Sequence, residues 1–255
     1  ERGEISPFYI KENIVPRFYI SHEIQDQEAI LVDPERHHLI DVYRASINME
    51  VELFDVHGNQ YLAKLISYNN KEARLKILQK IVKQQKNNIE IYLAQSLIKS
   101  KNWDFILTKC VELGVDGIYP MITQHIAGGK YVAGKEERWE KLLITAAKQS
   151  GHTSFPKIFS IMNFLETLQA TSDFPLRLMA HNDPQVPFLH SFLKQQTTIP
   201  TKVLLMIGPE GGFSEIEVQQ AQENGVNSFL LGSYTMRAET AAIAGLANLN
   251  FYWER

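Results

Sequence analysis

The hydrophobic pattern of the chain changes its period once, and this change constrains the fold more than any other feature. Up to about residue 95, apolar and polar residues alternate in short runs that turn-forming residues separate, as in β-strands. Beyond that point, apolar residues at helical spacing alternate with continuous apolar runs. We therefore predict a small β-barrel over residues 1–82 and an α/β domain with a parallel sheet over residues 83–255.

Local signals place two elements of the first part. Alternating residues on either side of a turn at residues 57–59 predict a β-hairpin. Residues 34–44 should form a short helix, with Asp33 as its cap and Pro34 at its first position. Both elements suit a β domain that carries one brief helix.

A stripe of apolar residues defines one helix of the second part. Its members lie three and four residues apart and end at a glycine that can cap the helix: Trp103, Ile106, Leu107, Cys110, Val111 and Gly114. We further predict buried strands at residues 203–207 and 229–231, a helix that Ser214 caps, and a closing helix over residues 239–251.

Composition excludes several classes of protein. The 255 residues include one cysteine, Cys110, which rules out a disulfide framework and a cysteine-built zinc site. The histidines show no metal-binding spacing, so we expect no metal. No apolar run reaches the roughly 18 residues of a membrane span, and residues 1–4 contain no apolar signal core. We expect a cytoplasmic protein without a membrane partner.

Positive charge is concentrated in one segment of the chain. Residues 71–101 contain eight basic and two acidic side chains and carry a net charge of +6, whereas the rest of the chain sums to −9. Such a segment can follow the phosphates of a nucleic acid. Alternatively, its lysines can protect the solvated edge of a sheet. Both interpretations are compatible with the spacing.

A glycine-rich loop follows the predicted strand at residues 203–207. It reads Gly208-Pro209-Glu210-Gly211-Gly212-Phe213-Ser214. Loops at the carboxyl ends of parallel strands commonly bind ligands, and glycine lets the backbone approach a ligand closely. The loop lacks the Gly-Lys-Ser/Thr ending of a phosphate loop, and its acidic residue Glu210 disfavours a polyphosphate. It is either a site for a neutral or partly cationic ligand or a plain strand-to-helix turn.

A second stretch follows the predicted strand at residues 229–231 and leads into the last helix. It reads Leu231-Gly232-Ser233-Tyr234-Thr235-Met236-Arg237-Ala238-Glu239-Thr240. Glu239 and Thr240 can satisfy the first amides of that helix. The isolated Arg237 can bind a phosphate, stabilise a developing anion, or form a salt bridge with Glu239 or Glu210.

Four ordered motifs of the chain resemble those of one family. They are the two stretches above, a helix with Lys109-Cys110-Val111-Glu112-Leu113-Gly114-Val115, and the turn Gln149-Ser150-Gly151. All four resemble the RsmE family of bacterial small-subunit ribosomal RNA uridine-N3 methyltransferases, which belongs to the SPOUT superfamily. Residues 17–19 and 38–44 are similar to the N-terminal part of the family. The resemblance therefore covers nearly the whole chain.

The resemblance implies a PUA-like N-terminal β-barrel that binds RNA and a C-terminal SPOUT domain with a trefoil knot. It implies S-adenosylmethionine as the cofactor and a homodimer. The implied partner is 16S ribosomal RNA or the small ribosomal subunit, in which N3 of one uridine is methylated. The implied cofactor site consists of Ala180, His181, Ile207, Gly208, Pro209, Glu210, Gly211, Gly212, Leu231, Gly232, Ser233, Met236, Arg237, Glu239 and Thr240.

The resemblance also implies roles for individual side chains. Arg237 would stabilise the uridine anion or anchor its phosphate, and Glu210 would accept the proton or organise the backbone. The barrel and the basic segment would hold the flanking RNA through Arg17, Arg44, Lys76, Lys80, Lys83 and Lys101. The chain departs from the family pattern at Asp41, Lys148 and His152, in regions where RNA contacts are expected.

Two other functions stay open at this point. A SPOUT enzyme that methylates another RNA, such as transfer RNA, would use the same cofactor loop, because that loop does not encode the choice of RNA. A non-catalytic RNA-binding or assembly protein would keep the loop only as a relic. A binding measurement with S-adenosylmethionine distinguishes these functions, because the non-catalytic protein would not bind it and either enzyme would.

Overall fold

Two sheets account for the two hydrophobic periods of the sequence. The computed structural model describes residues 15–21, 24, 27–55, 59–81, 89–126, 136–150 and 156–254. The chain divides into two units, Glu1–Val82 and Lys83–Arg255, and each unit has its own sheet. The alternating residues up to residue 81 lie in the first sheet, and the continuous apolar runs lie in the second. The alternating residues at 90–95 are an exception, because they belong to the second sheet.

The sheet of the first unit has five strands among the described residues. They are β1 (Arg17–Ile20), β2 (Glu28–Leu31), β3 (Glu50–Asp55), β4 (Gln60–Tyr68) and β5 (Ala73–Ile81). Their order is β1-β3-β4-β5-β2, with a parallel β1–β3 pair and antiparallel pairs elsewhere. The edge strands β1 and β2 also contact each other, so the sheet curls. Alternate side chains such as Phe18, Leu53, Leu65 and Leu75 are buried in the core.

The predicted hairpin is confirmed. Strands β3 and β4 pair in antiparallel register, from Glu50 opposite Lys64 to Phe54 opposite Gln60. Of the predicted turn, Asn59 is described, and its peptide N–H donates to the Asp55 carboxylate at 2.9 Å. His57 and Gly58 lie outside the described residues.

The predicted helix over residues 34–44 is confirmed, but it is shorter at both ends and mostly a π-helix. It begins as α1 (Glu35–His37), after Pro34, and continues as a π-helix (His38–Val42). In that π-helix the N–H of Tyr43 donates to the carbonyl of His38, five residues earlier. The Asp33 carboxylate nevertheless accepts the N–H of His37 at 3.0 Å, so it satisfies an amide at the helix start.

The second unit contains a parallel sheet of seven described strands. They are β6 (Glu90–Ser96), β7 (Gly117–Ile122), β8 (Lys157–Ile158), β9 (Met162–Asn163), β10 (Leu176–Ala180), β11 (Lys202–Ile207) and β12 (Asn227–Phe229). The order is β12-β10-β11-β6-β7-β8, and β9 pairs with β7. All six strand pairs are parallel, which confirms the predicted sheet type.

The strand predicted at residues 229–231 is wrong in its bounds. β12 ends at Phe229, and Leu230 forms only an isolated bridge with Phe188. The N–H of Leu230 donates to the carbonyl of Pro187 at 2.9 Å. Leu230 therefore pairs with an irregular segment and not with a strand. The prediction included it because Phe229, Leu230 and Leu231 form a continuous apolar run.

The described part of the second unit contains six helices. They are α2 (Ser100–Glu112), α3 (Glu136–Ser150), α4 (Phe164–Ala170), α5 (Leu189–Lys194), α6 (Glu215–Glu223) and α7 (Ala238–Tyr252). The predicted apolar stripe of α2 is buried, and Cys110 is part of it. Gly114, with φ of 67°, follows the helix in the left-handed conformation that glycine favours. None of the described helices has the length and apolar character that crossing a membrane requires.

A glycine lets the last helix approach the centre of the sheet. A Cβ atom at Gly245 of α7 would lie 2.7 Å from Cδ2 of Leu205 in β11. Even alanine at this position would displace the buried side chain of Leu205, so glycine permits the close packing of helix on strand. Packing against the core therefore accounts for a glycine in the middle of α7.

Candidate active site

The carboxyl ends of three neighbouring strands surround a cavity of about 300 Å³. Strand β10 ends at Ala180, β11 at Ile207 and β12 at Phe229, and the segment that follows each strand contributes to the walls. This edge of a parallel sheet is where α/β proteins bind ligands. The volume lies at the lower end of the range for small-molecule sites, which starts at roughly 300 Å³.

The two glycine-containing stretches meet in this cavity. Eleven of the fifteen residues that the resemblance assigned to the cofactor line it: Ala180, His181, Ile207, Gly208, Pro209, Glu210, Gly211, Gly212, Leu231, Gly232 and Met236. The other four lie outside the lining. Ser233 is exposed beside it, and Arg237, Glu239 and Thr240 lie at the start of α7.

Sequence reasoning missed several lining residues. The clearest case is Asn182, whose side-chain Nδ2 donates to Oγ1 of Thr235 at 2.8 Å and so joins the end of β10 to the stretch before α7. Tyr234, which also lines the cavity, has 87% of its surface exposed. Their position in the sequence is the signal for them, since each lies next to or between residues of the predicted cofactor site.

Glycine is favoured at two points of the loop after β11, by backbone conformation at one and by close packing at the other. Gly212 has φ of 71°, a left-handed conformation that other residues adopt only with strain. A Cβ atom at Gly211 would lie 3.0 Å from the Cβ atom of His125, in the segment after β7. The loop therefore needs glycine for its own geometry, as the plain-turn alternative predicted. The same glycines leave its backbone bare toward the cavity.

The predicted cap of the helix after the loop is confirmed. The hydroxyl of Ser214 accepts the N–H of Glu217, and the Glu217 carboxylate accepts the N–H of Ser214 at 2.9 Å. The same carboxylate accepts the N–H of Gln124 at 2.8 Å. Glu217 is buried, with 6% of its surface exposed, so it connects the loop, α6 and the end of β7 inside the protein.

The predicted cap at Thr240 is wrong, whereas Glu239 lies in the first turn of the last helix, where a carboxylate favours the helix dipole. Arg237 is the residue that precedes α7, and it makes no side-chain hydrogen bond to the helix amides. Thr240 is the third residue of α7 and lies too far along the helix to cap it. Oε2 of Glu239 is buried and has no hydrogen-bond partner within the described ranges.

The charge around the cavity is low. Among the described lining residues, Glu210 is the only Asp, Glu, Lys or Arg, and it is exposed. The ion pairs that join described residues include neither Arg237 nor Glu210, so the predicted salt bridges of Arg237 do not form among them. In the part of the chain that the structure describes, no three His, Cys, Asp or Glu side chains are grouped to hold a metal ion.

The predicted RNA-binding residues of the first unit occupy different settings. Arg17 pairs with Glu52, with 2.5 Å between Nε and Oε2. Lys76 is exposed and lies in register between Lys64 and Glu28. Lys76 thus has one basic and one acidic neighbour across the strands. Because β5 lies between β4 and β2, the sheet-edge interpretation does not apply to Lys76.

The remaining RNA-binding candidates are exposed wherever the structure describes them. Arg44 follows the π-helix with φ of 54°. Nζ of Lys80 lies 5.8 Å from the ring centroid of Tyr61. Lys101 is on α2, in the second unit, and Lys83 lies outside the described residues. The basic segment at 71–101 is therefore divided between the two units.

Comparison with known proteins gives consistent matches. A profile of the RNA methyltransferase domain matches residues 84–250. The ribosomal RNA small subunit methyltransferase E of Mesomycoplasma hyopneumoniae is 31% identical over 236 residues, 89% of this chain and 95% of that protein. Its counterpart from Buchnera aphidicola subsp. Acyrthosiphon pisum is 29% identical over 94% of each chain.

A solved structure agrees with the fold as well. The crystal structure of a ribosomal RNA small subunit methyltransferase E from Neisseria gonorrhoeae, bound to S-adenosyl methionine, superposes with a TM-score of 0.81. It is 30% identical and covers 94% of this chain and 98% of that one. With a parallel sheet and a domain profile over more than half of its length, the chain is an RNA methyltransferase. It belongs to the ribosomal RNA small subunit methyltransferase E family, which it matches over most of its length.

Proposed function

We propose that this protein transfers a methyl group from S-adenosylmethionine to N3 of one specific uridine in 16S ribosomal RNA of the small subunit. The observation that carries the proposal is the meeting of two stretches, 208–213 and 231–236, around one cavity at the ends of β10, β11 and β12. Each stretch resembled the family separately, and they lie side by side in space.

The residues around the cavity suit this methyl donor. Glycines 208, 211 and 232 present bare backbone, which can bind an adenosine and an amino acid group through N–H and carbonyl groups. The described lining contains no lysine or arginine side chain, so it offers no clamp for a polyphosphate. It contains one carboxylate, Glu210, which favours a ligand with positive charge.

In the proposed reaction, the sulfonium of S-adenosylmethionine and the side chains of Glu210 and Arg237 have different roles. S-adenosylmethionine, when bound, supplies an electrophilic methyl group on a sulfonium. The N3 proton of the uridine must leave before the nitrogen can attack, and the exposed Glu210 carboxylate accepts it or organises the loop. The exposed Arg237 guanidinium, directly after lining residue Met236, stabilises the resulting uridine anion or anchors its phosphate. The cavity walls hold the two reactants in line.

The finer architecture is part of the same proposal. We assign residues 1–82 to a PUA-like β-barrel that binds RNA and residues 83–255 to a SPOUT domain with a trefoil knot. The curl of the five-stranded sheet and the parallel sheet of the second unit support this assignment. The protein acts as a homodimer in the cytoplasm, where its substrate is made. The target base is splayed out of its stack, since N3 is otherwise inaccessible.

A transfer assay with the purified full-length chain tests the proposal. Small ribosomal subunits that lack the modification are incubated with S-adenosylmethionine labelled in its methyl group, and the rRNA is digested for nucleoside mass spectrometry. We expect one labelled N3-methyluridine for each subunit. Transfer RNA serves as the competing substrate. Label in transfer RNA alone, or no label in either RNA, contradicts the proposal.

A further inference from the structure

A buried glutamine lies beneath the loop that lines the cavity. Gln95, in β6, has none of its surface exposed and is the register partner of Ile207, the last residue of β11. Its side-chain Nε2 donates to the carbonyls of Ile207 and Gly208 at 3.4 Å each and to its own neighbour Ser96 at 2.9 Å. Gln95 itself does not line the cavity.

The chemistry of these contacts fixes the orientation of the amide. All three partners of Nε2 are carbonyl oxygens, so turning the amide over would place Oε1 against three acceptors. In the observed orientation Oε1 is buried and has no hydrogen-bond partner among the described residues. A buried polar group that leaves half of its capacity unused is unfavourable for stability, and an apolar side chain would fill this core position without that penalty. Stability alone therefore does not account for Gln95.

The consequence for the loop follows from peptide geometry. In a planar trans peptide unit the carbonyl and the N–H point in opposite directions. Because the carbonyl of Ile207 points to Gln95, the N–H of Gly208 points away from it. The next peptide unit has no N–H, since residue 209 is proline. The N–H of Gly208 is thus the donor whose direction Gln95 controls, and Gly208 lines the cavity.

We propose that Gln95 is a positioning residue for the methyl donor: it holds the N–H of Gly208 toward an acceptor atom of S-adenosylmethionine. This inference rests on the proposed function. Gln95 acts only through the loop and touches neither the RNA nor the reacting atoms. Its loss raises the KM for S-adenosylmethionine and leaves the KM for the ribosomal RNA unchanged.

Calorimetry with S-adenosylmethionine on the full-length chain tests the inference. Gln95→Met keeps the length of the side chain but removes the donor, and we expect an affinity about tenfold lower, equivalent to about 1.4 kcal/mol. Ser96→Ala is the matched control, because Ser96 is equally buried in β6 and its hydroxyl contacts Oγ1 of Thr123 instead of the loop. We expect the control to bind like the unaltered chain.

A second variant keeps the test decisive if Gln95→Met does not fold. Gln95→Glu has the shape of glutamine, but when ionised it places oxygen atoms against the three carbonyls, whereas its protonated form has one O–H to donate. Its affinity relative to the unaltered chain should therefore recover as the pH falls.

Several results would overturn the inference. The first is that Gln95→Met binds S-adenosylmethionine as tightly as the unaltered chain, and the second is that Ser96→Ala loses as much affinity as Gln95→Met. The others are a higher KM of Gln95→Met for ribosomal RNA and an affinity of Gln95→Glu for S-adenosylmethionine that does not change with pH. If the unaltered chain fails to bind S-adenosylmethionine, the proposed function falls as well, and this outcome is distinct from the others.

Discussion

The carboxylate of Glu217 accepts the peptide N–H of Gln124 at 2.8 Å, although the two residues are 93 positions apart in the chain. Glu217 is also the third residue of α6 and accepts the N–H of Ser214, which ends the loop that lines the cavity. His125, the neighbour of Gln124, packs against Gly211 of that loop. One buried side chain thus holds the loop and the segment behind it in fixed positions.

Replacing this carboxylate should destabilise the protein. In Glu217→Gln one oxygen becomes an NH₂ group that faces an N–H donor, and we expect a loss of about 1–3 kcal/mol in the free energy of unfolding. Glu215→Gln is the control, because Glu215 lies in the same first turn but is exposed. It should lose about 0.3–1 kcal/mol, since only its interaction with the helix dipole changes. Urea unfolding of both variants provides the comparison, and equal losses would refute the role of the contact with Gln124.

Alanine substitutions at two glycines with similar positive φ can distinguish an effect on loop conformation from an effect on ligand binding. Gly212 has φ of 71° and lines the cavity, whereas Gly225, after α6, has φ of 74° and lies elsewhere. Alanine at either position should lower stability by about 1–2 kcal/mol, because both require the left-handed conformation. Only Gly212→Ala should also weaken S-adenosylmethionine binding, by about tenfold. Calorimetry that finds the same affinity for both variants would remove Gly212 from the cofactor site.

The sole cysteine should report unfolding. Cys110 lies in the apolar stripe of α2 with none of its surface exposed, and burial raises the pKa of its thiol above the usual range. The reactive thiolate is therefore disfavoured in the folded protein at mildly alkaline pH. We expect a thiol reagent to label the native chain at least about a hundred times more slowly than the chain in urea, since labelling requires opening of the α2 core. Rapid complete labelling of the native chain would contradict the packing of α2.

The basic residues of the first unit can be tested by salt dependence. If Lys80 contacts a phosphate, Lys80→Ala should weaken RNA binding and reduce the slope of log K against log salt by about 0.7, the value for one contact on single-stranded nucleic acid. Lys141→Ala is the control, because Lys141 is also exposed but pairs with Glu137 at 2.8 Å on α3. Identical slopes for Lys80→Ala and the unaltered chain would favour the sheet-edge interpretation.

Patterns within a single element were readable from the sequence. The α2 stripe, the capping box at Ser214 and the strand before Gly208 each depend on residues that are close in the chain, and the structure contains all three. The bounds of β12 and the cap of α7 differ from the prediction, because in both cases the same local pattern is compatible with two structures. Leu230 extends an apolar run, but burial does not require it to join the sheet. Thr240 suits a helix cap, but it lies three residues beyond the true cap position.

Contacts across the sheet could not be predicted, because they depend on the strand order. Gln95 meets Ile207 only because β6 lies beside β11 in the sheet. Asn182 reaches Thr235 because the ends of β10 and β12 are neighbours. No periodicity in the sequence encodes either neighbour relation, so the sequence does not show which residues these side chains contact.

We propose above that this chain methylates N3 of one uridine in 16S ribosomal RNA. Nucleoside mass spectrometry of small-subunit RNA from cells that lack the protein tests it most directly, with the unaltered gene and Arg237→Ala returned to the same cells. We expect one N3-methyluridine to disappear, to return with the unaltered gene, and to stay absent with Arg237→Ala, although that variant still binds S-adenosylmethionine. An unchanged modification profile in the deletion strain, or loss of a different methylated nucleoside, would contradict the claim.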